Sequence, residues 1–283
     1  MNFLRNSPHA SEIGKSIEKT QNEFPFQNYL DKKFDAYHLI SSTIKDFLPQ
    51  GGTILDFGAG SCDKTAVLQN MGYQCSAADD LQDHWHEEKD SKNKILNFAD
   101  SIGINYILLR DQKLELEENQ YDMVMSHDVI EHLHDSPKDL LNILVKSIKP
   151  GGYLFLSVPN AVNLRKRISV LKGETNYPPY DQFYWYPGPW RGHVREYTKN
   201  DLSLLSQYLK LDLKLLKGAD HMIWKLPTFA RFPYYLFTNF FDGMKDTLYL
   251  IAQKPNNWNP VIDSEEQKAI LQKSTTFEYK GKW

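Results

Sequence analysis

The stretch Thr53-Ile54-Leu55-Asp56-Phe57-Gly58-Ala59-Gly60 limits the fold more tightly than any other part of the chain. An aliphatic run of strand length closes on an acidic residue, and two glycines one residue apart follow it. Thr65, Ala66, Val67, Leu68 and Met71 then recur at helical spacing, with Gly72 placed to cap that helix. Strand, glycine turn and helix form the opening unit of a nucleotide-binding α/β sheet. Gly58 and Gly60 carry no Cβ, so a ligand can lie against the backbone, and both tolerate the positive φ of a tight turn. The helix behind them turns free N–H groups and a positive dipole end toward any anionic group placed there.

The downstream pattern extends this unit. Residues 73–78 read as a strand ending at Asp79-Asp80, residues 81–103 hold a helix, and 104–109 form a strand ending near Asp111. Residues 121–126 are a fourth strand. Ser136-Pro137 supplies an N-cap and first helical position, opening a helix that buries Leu140, Leu141, Leu144, Val145 and Ile148. Lys149-Pro150-Gly151-Gly152 stops it, and 153–158 is a fifth strand. Strands alternating with helices predict a mostly parallel, right-handed, doubly wound sheet of the α/β class. Its ligands sit at the carboxyl ends of the strands, where Asp56, Asp79, Asp111, the segment from Ser126, and Asn160 share one edge. Residues 211–216 and 247–252 add two closing strands, for seven in all.

Outside this frame, residues 1–27 are polar and broken by Pro8 and Pro25, and read as an irregular lead-in. Leu30, Phe34, Tyr37, Ile44 and Leu48 predict a helix over 28–48 that covers the sheet. The expected organisation is a lead-in and covering helix over 1–50, a main domain over 51–254 with a substrate lid inserted at 161–197, and an extended tail over 255–283. Thr198 with Asp201 three residues on is an N-cap pattern for a helix through Tyr208. Aromatic residues make up 13% of the chain, and they cluster at Tyr177–Trp190 and Pro227–Phe241. The first cluster reads as a lid over an acceptor or as a homodimer interface. The second has only Arg231 as a cation and reads as core or lid packing, with an interfacial membrane anchor as the rival.

Thirty-three Lys and Arg against 36 Asp and Glu give a net charge of −3, which argues against a nucleic-acid partner. Arg165, Lys166 and Arg167 form a local basic patch. Two cysteines are too few for a disulfide framework or a thiolate zinc site. No signal pattern and no run long enough to span a bilayer is present, so a cytoplasmic protein is expected.

Taken together, Ile54–Gly60, Asp79, Tyr121-Asp122-Met123-Val124 leading into His127-Asp128-Val129-Ile130-Glu131-His132, and Leu144–Pro159 with its Lys-Pro-Gly-Gly turn resemble the class I S-adenosylmethionine-dependent methyltransferases, in order over residues 50–252. The resemblance implies a Rossmann-like class I fold and S-adenosyl-L-methionine as cofactor. Gly58, Gly60 and the nearby Asp56 would then face its methionine part, Asp79 the ribose hydroxyls, and Asp111 the adenine, with His127 as a further cofactor-binding residue. Cys62 replaces a third glycine common in the family's turn.

Methyl transfer to a hydroxyl requires alignment and removal of a proton. A lone base could serve, with His127, His134 or His193 suited to it, and Arg195 as a substrate contact. A metal that lowers the hydroxyl pKa is the alternative. Asp128, Glu131 and His132 fall at i, i+3 and i+4, one face if the turn is helical, and suit Mg, Mn or Zn. This segment is similar to the acidic-x-x-Glu-His motif of metal-dependent ubiquinone-pathway and small-RNA 2′-O-methyltransferases. Gly192-His193-Val194-Arg195-Glu196-Tyr197-Thr198 resembles the later segment of the RNA enzymes, which implies His193 as a fourth ligand. Local packing of the Glu-His pair without metal is the competing reading. The expected acceptor is a small hydroxylated molecule, first a sugar or nucleotide-sugar of glycan or natural-product biosynthesis. Catechol or quinone-precursor O-methylation, RNA 2′-O-methylation and a non-catalytic scaffold are the alternatives.

Overall fold

The computed structural model describes residues 8–260 apart from 32–33, 110–113, 176, 221–222 and 224–225, together with 269 and 272. Its centre is a seven-stranded sheet in the order β3-β2-β1-β4-β5-β7-β6. The strands are β1 (Thr53–Phe57), β2 (Gln74–Asp79), β3 (Asn105–Leu108), β4 (Tyr121–His127), β5 (Ile148–Pro159), β6 (Asp212–Ala219) and β7 (Thr247–Gln253). β1 to β5 run parallel, and β7 is antiparallel to both its neighbours. The mostly parallel, doubly wound sheet expected from the sequence is therefore present. The chain order reverses between β1 and β4, and that switch point opens a crevice at the carboxyl edge.

Helices α1 (Ala10–Glu23), α2 (Phe34–Phe47), α3 (Asp63–Asn70), α4 (His84–Glu87) and α5 (Ser91–Ser101) precede β3. After β4 come α6 (Lys138–Ser147), α7 (Leu164–Leu171), α8 (Tyr180–Tyr184), α9 (Lys199–Tyr208) and α10 (Thr228–Phe240). Strand alternation divides the core in two. Ile54 and Met123 pack toward Ile17, Tyr37, Val67 and Ile95, whereas Leu55 and Val124 pack toward Leu141, Leu144 and Leu202. By the same alternation Asp56 lies on the α3 side of β1.

Four sequence expectations change. The lead-in is not irregular: α1 buries Ile13, Ser16, Ile17 and Thr20, and Asn70 Nδ2 donates to Thr20 Oγ1 at 3.0 Å. Two isoleucines and two small hydroxylated residues make a stripe too polar to read as a core face. Lys149–Gly152 does more than stop α6, since it lies within β5 at a break in the β4–β5 register. A Cβ on Gly152 would stand 2.7 Å from the carbonyl oxygen of Asp122, so the bulge needs glycine. The aromatic insertion contains two helices, and α7 has Asn163 as its N-cap, accepting from Lys166 N at 3.0 Å. Finally, Pro227–Phe241 forms α10 but does not pack into the core, since its Phe229 is 84% and its Phe240 82% exposed. The expected capping box at Thr198 and Asp201 is formed. Among the described residues no helix is long and apolar enough to cross a membrane.

Candidate active site

The glycine turn is tied to the end of β2. Gly58 N and Ala59 N donate to Ala78 O at 2.8 and 3.2 Å, and Gly60 N donates to Asp79 Oδ2 at 2.8 Å. The other Asp79 oxygen accepts from Leu81 N at 2.8 Å, and Tyr106 OH donates to Gly60 O at 2.7 Å. The two glycines differ in purpose. A Cβ on Gly58 would sit 2.2 Å from Val129 Cγ2, so protein packing demands glycine there. Gly60 has φ +51° and nothing within 4 Å of its Cβ position, so its open side is the one available to a ligand. Cys62 is buried with a left-handed φ of +66°, and burial pushes its thiol well above the usual range.

Asp56 and Asp79 take distinct positions. Asp56 is 2% exposed and accepts from Thr65 Oγ1 at 2.6 Å, which locks the turn to α3 from beneath. Burial pushes its carboxyl up to about 6, against the Lys64 charge and the Thr65 hydrogen bond, which favour the ionised form. Asp79 stands at the crevice, and each of its oxygens keeps a lone pair beyond the one taken by the backbone. Asp111 lies outside the described residues. His127 is buried at the end of β4, with Nδ1 2.9 Å from Ser157 Oγ and its ring edge-on to Phe155.

A strap that sequence reasoning missed runs beside this turn. Ser61 Oγ donates to Tyr29 OH at 3.1 Å, and Tyr29 and Phe26 pack on Trp85 with ring centroids 6.1 and 5.7 Å apart. Among the described residues neither ring nitrogen of the buried His86 has a hydrogen-bond partner, and burial lowers its pKa against the pull of Asp79.

Across the switch point three candidate ligands meet. One ligand atom from each of Glu131, His132 and His193 lies within 4.8 Å of the other two. Glu131 is fully buried, and among the described residues neither carboxylate oxygen has a hydrogen-bond partner beyond its own backbone N–H. Burial, reinforced by the charge of Asp128, pushes its carboxyl up to about 8. His132 Nδ1 lies 2.7 Å from Arg191 O. A carbonyl only accepts, so Nδ1 carries the proton and Nε2 offers its lone pair, 4.0 Å from Glu131 Oε1. His193 Nδ1 is 2.8 Å from Glu196 Oε1, which likewise leaves its Nε2 available. Burial and then the neighbouring His132 lower the His193 pKa to about 4, so the ring is neutral at pH 7.

Backbone hydrogen bonds assemble the trio. Val194 N and Arg195 N both donate to Glu131 O, at 2.7 and 3.1 Å, and carry His193 to the end of β4. Asp128 is not part of it. The residue has φ +59° and only one 3₁₀ turn, Ile130–His132, follows, so the helical spacing that would align Asp128 with Glu131 and His132 is absent. Asp128 is exposed and acts on the trio through its charge alone. Arg195 also points elsewhere, 3.7 Å from Asp201 Oδ1 and over the Tyr197 ring. His134 Nε2 lies 2.7 Å from Trp190 O.

Arg191, a residue the sequence did not single out, joins the two halves. Its carbonyl orients His132, while its guanidinium holds Asp83 Oδ1 at 2.8 Å and Asp80 Oδ1 at 3.1 Å on the loop after β2. Burial acts to lower the Arg191 pKa, but Asp83 and Asp80 outweigh it and raise it.

A family model described as a methyltransferase domain matches residues 29–209, well over half of the chain. The mitochondrial ubiquinone biosynthesis O-methyltransferase of Dictyostelium discoideum is 28% identical over 164 residues, 53% of this chain and 49% of that protein. The ubiquinone biosynthesis O-methyltransferase of Rickettsia bellii is 28% identical over 149 residues, 52% of this chain and 55% of that protein. The chain thus spans about half the length of these curated relatives. Among solved structures, the Burkholderia thailandensis 1,6-didemethyltoxoflavin-N1-methyltransferase with bound 1,6-didemethyltoxoflavin and S-adenosylhomocysteine aligns with a TM-score of 0.51 at 15% identity, over 87% of this chain and 89% of that one. The putative methyltransferase in complex with the Haloferax volcanii Trm112 activator aligns with a TM-score of 0.53 at 14% identity, over 86% and 97%. These structures share the fold. With the glycine turn, the acidic residue after β2 and the family match in agreement, the chain belongs to the methyltransferase domain family and has the Rossmann-like class I fold of S-adenosylmethionine-dependent methyltransferases.

Proposed function

We propose that the protein is an S-adenosylmethionine-dependent O-methyltransferase acting on the hydroxyl of a small molecule. The observation that carries the reading is the buried Glu131 carboxyl, bonded by no other described residue, beside two imidazoles whose Nε2 atoms are left open, on the sheet edge that holds the donor turn. Gly60 and Asp79 bind the donor, with the Tyr29–Trp85 strap at its side. The sulfonium supplies the leaving group, so the remaining work is to align a hydroxyl and take its proton.

The trio fits a divalent Mg, Mn or Zn ion: a carboxylate bonded by no other described residue, two imidazoles, and a hydrogen-bonded oxygen behind each ring. Such an ion, held by Glu131, His132 and His193, would lower the pKa of an acceptor hydroxyl. Without an ion, the same His193 Nε2 would instead receive the hydroxyl proton, with Glu196 fixing the ring. The exposed rings from Tyr177 to Trp185 supply apolar faces for the acceptor's C–H or planar surface. A sugar hydroxyl is the first acceptor class, on the pattern of residues 158–160 and 193–198. A catechol or quinone-precursor hydroxyl is the second, favoured by the ubiquinone biosynthesis relatives.

A screen with methyl-labelled donor, sugar nucleotides against catechols, with and without chelator, tests this. Transfer to one class, abolished by chelator and restored by a divalent ion, is the expected result. Full activity in excess chelator would remove the metal, and donor binding without transfer to any hydroxyl would remove the O-methyltransferase reading.

A further inference from the structure

Helix α10 has its polar side inward and its apolar side outward. Facing the protein, Tyr234 OH donates to Asp246 Oδ1 at 2.9 Å, Thr238 Oγ1 to Asp220 Oδ2 at 2.6 Å, and Arg231 Nε to Leu226 O at 2.9 Å. Facing solvent, Phe229, Phe232, Pro233, Leu236, Phe237 and Phe240 fall on one continuous helical face. Single exposed apolar residues are ordinary, but a contiguous aromatic stripe is the mark of a docking surface.

The neighbouring helix α7 continues this surface. Arg165 Nη2 and Tyr234 OH meet on the same oxygen, Asp246 Oδ1, so the two helices share an anchor. Ile168, Val170 and Leu171 of α7 are exposed, as is Arg167 in its first turn, whereas Arg165 is held by Asp246 and Lys166 by Glu196. Neither α7 (LRKRISVL) nor α10 (TFARFPYYLFTNF) contains an acidic residue, in a chain whose net charge is −3. The nearest acids in sequence, Glu174 and Asp242, lie beyond the helix ends, and Asp242 is held by Lys199 and Lys245. Pairing of Pro159 with Thr247 puts both helices at the carboxyl edge of the sheet, on the side of the glycine turn and the trio.

We propose that α7 and α10 dock the protein on an anionic lipid surface. Phenylalanines from a 13-residue helix too short to span can lie in the headgroup boundary, parallel to the membrane, while the exposed Arg167 of α7 meets anionic headgroups. A second copy fits less well, because two such faces would bring cations together with no acid on either helix to receive them. Docking in this way turns the carboxyl edge of the sheet toward the bilayer. The inference rests on these two helices and is independent of the transfer reaction.

Co-sedimentation of the full chain with phosphatidylcholine vesicles, with and without roughly a third phosphatidylserine, tests it. The protein is expected to sediment with the anionic vesicles, about tenfold less with the neutral ones, and to be released by salt. Phe229→Ser with Phe240→Ser should reduce binding about tenfold or more while leaving the circular dichroism spectrum and melting temperature unchanged, because both rings stand in solvent. Wild-type protein left in the supernatant with anionic vesicles at low salt overturns the proposal, as does a folded double variant that binds undiminished. A wild-type dimer in sedimentation velocity that the double substitution dissolves would overturn it too, by giving the face to a second copy.

Discussion

The two halves of the carboxyl edge are built on opposite plans. On the donor side the polar groups around the turn are matched: Asp56 to Thr65, Asp79 to Gly60 and Leu81, and Gly60 O to Tyr106. On the acceptor side Glu131 is buried with neither oxygen bonded by another described residue, between imidazoles that present lone pairs. The protein completes the first region unaided and leaves the second short of a positive charge. Burying a carboxyl without a charged partner is costly, and the acceptor side bears that cost at Glu131 while the donor side bears a smaller one at Asp56.

The sharpest test of that contrast is Glu131→Gln. Methyl transfer should fall about a hundredfold or more, whereas thermal stability at neutral pH should hold or rise by about 1–2 kcal/mol, because the amide removes the cost of keeping a buried carboxyl protonated above its ordinary pKa. A variant that loses stability in step with activity would make Glu131 an ordinary structural residue. Gly58→Ala should show the reverse, because the new methyl meets Val129 and the backbone needs positive φ. A destabilisation of about 3–4 kcal/mol is expected in denaturant titration. Gly60→Ala, with open space at its Cβ, should cost only about 1 kcal/mol and weaken donor binding instead, measured by calorimetry.

Asp56 gives the donor side a pH signature. Its folded-state pKa of about 6 lies above the ordinary 3.8, so the folded protein binds more protons between those values and stability falls as pH rises through that window. Melts of the ligand-free protein and Asp56→Asn across pH 4–7 should diverge by about 3 kcal/mol, the variant gaining toward neutral pH. Parallel curves would mean that Asp56 is paired more fully than its single bond to Thr65 suggests. The smallest effect is expected at the joint between the halves. Arg191→Ala should lower kcat/KM about tenfold through misplacement of His132, with donor affinity changed less, and Arg191→Lys should restore it only partly. An unchanged kcat/KM would reduce Arg191 to a surface clamp.

The parallel strands and the donor turn were legible because both obey local rules. Aliphatic runs end in acids, glycines follow, and helices restart at fixed spacing, so Asp79 and Gly60 could be placed without knowledge of their partners. The acceptor side depends on contacts distant in sequence. His193 reaches Glu131 through backbone bonds across more than sixty positions, which the chain could suggest only through a family pattern. Asp128 was misassigned because helical spacing was extended across a residue with left-handed φ. Arg191 was missed because one arginine among aromatics carries no periodic signal, and α1 because its buried stripe is half polar. In α10 composition pointed inward, and side-chain hydrogen bonding to Asp220 and Asp246 turned the helix over.

Cys62 gives the donor turn a further property. A thiol held at φ +66° in full burial, its ionisation suppressed, is unreactive toward alkylating reagents for as long as the turn stays closed. The only other thiol, Cys75 on the adjoining strand, is buried under the same suppression. Thiol-modification rates on the unaltered chain therefore clock how often the β1–β2 region opens, and slowing of that clock by a donor molecule would report its seating without any acceptor being known.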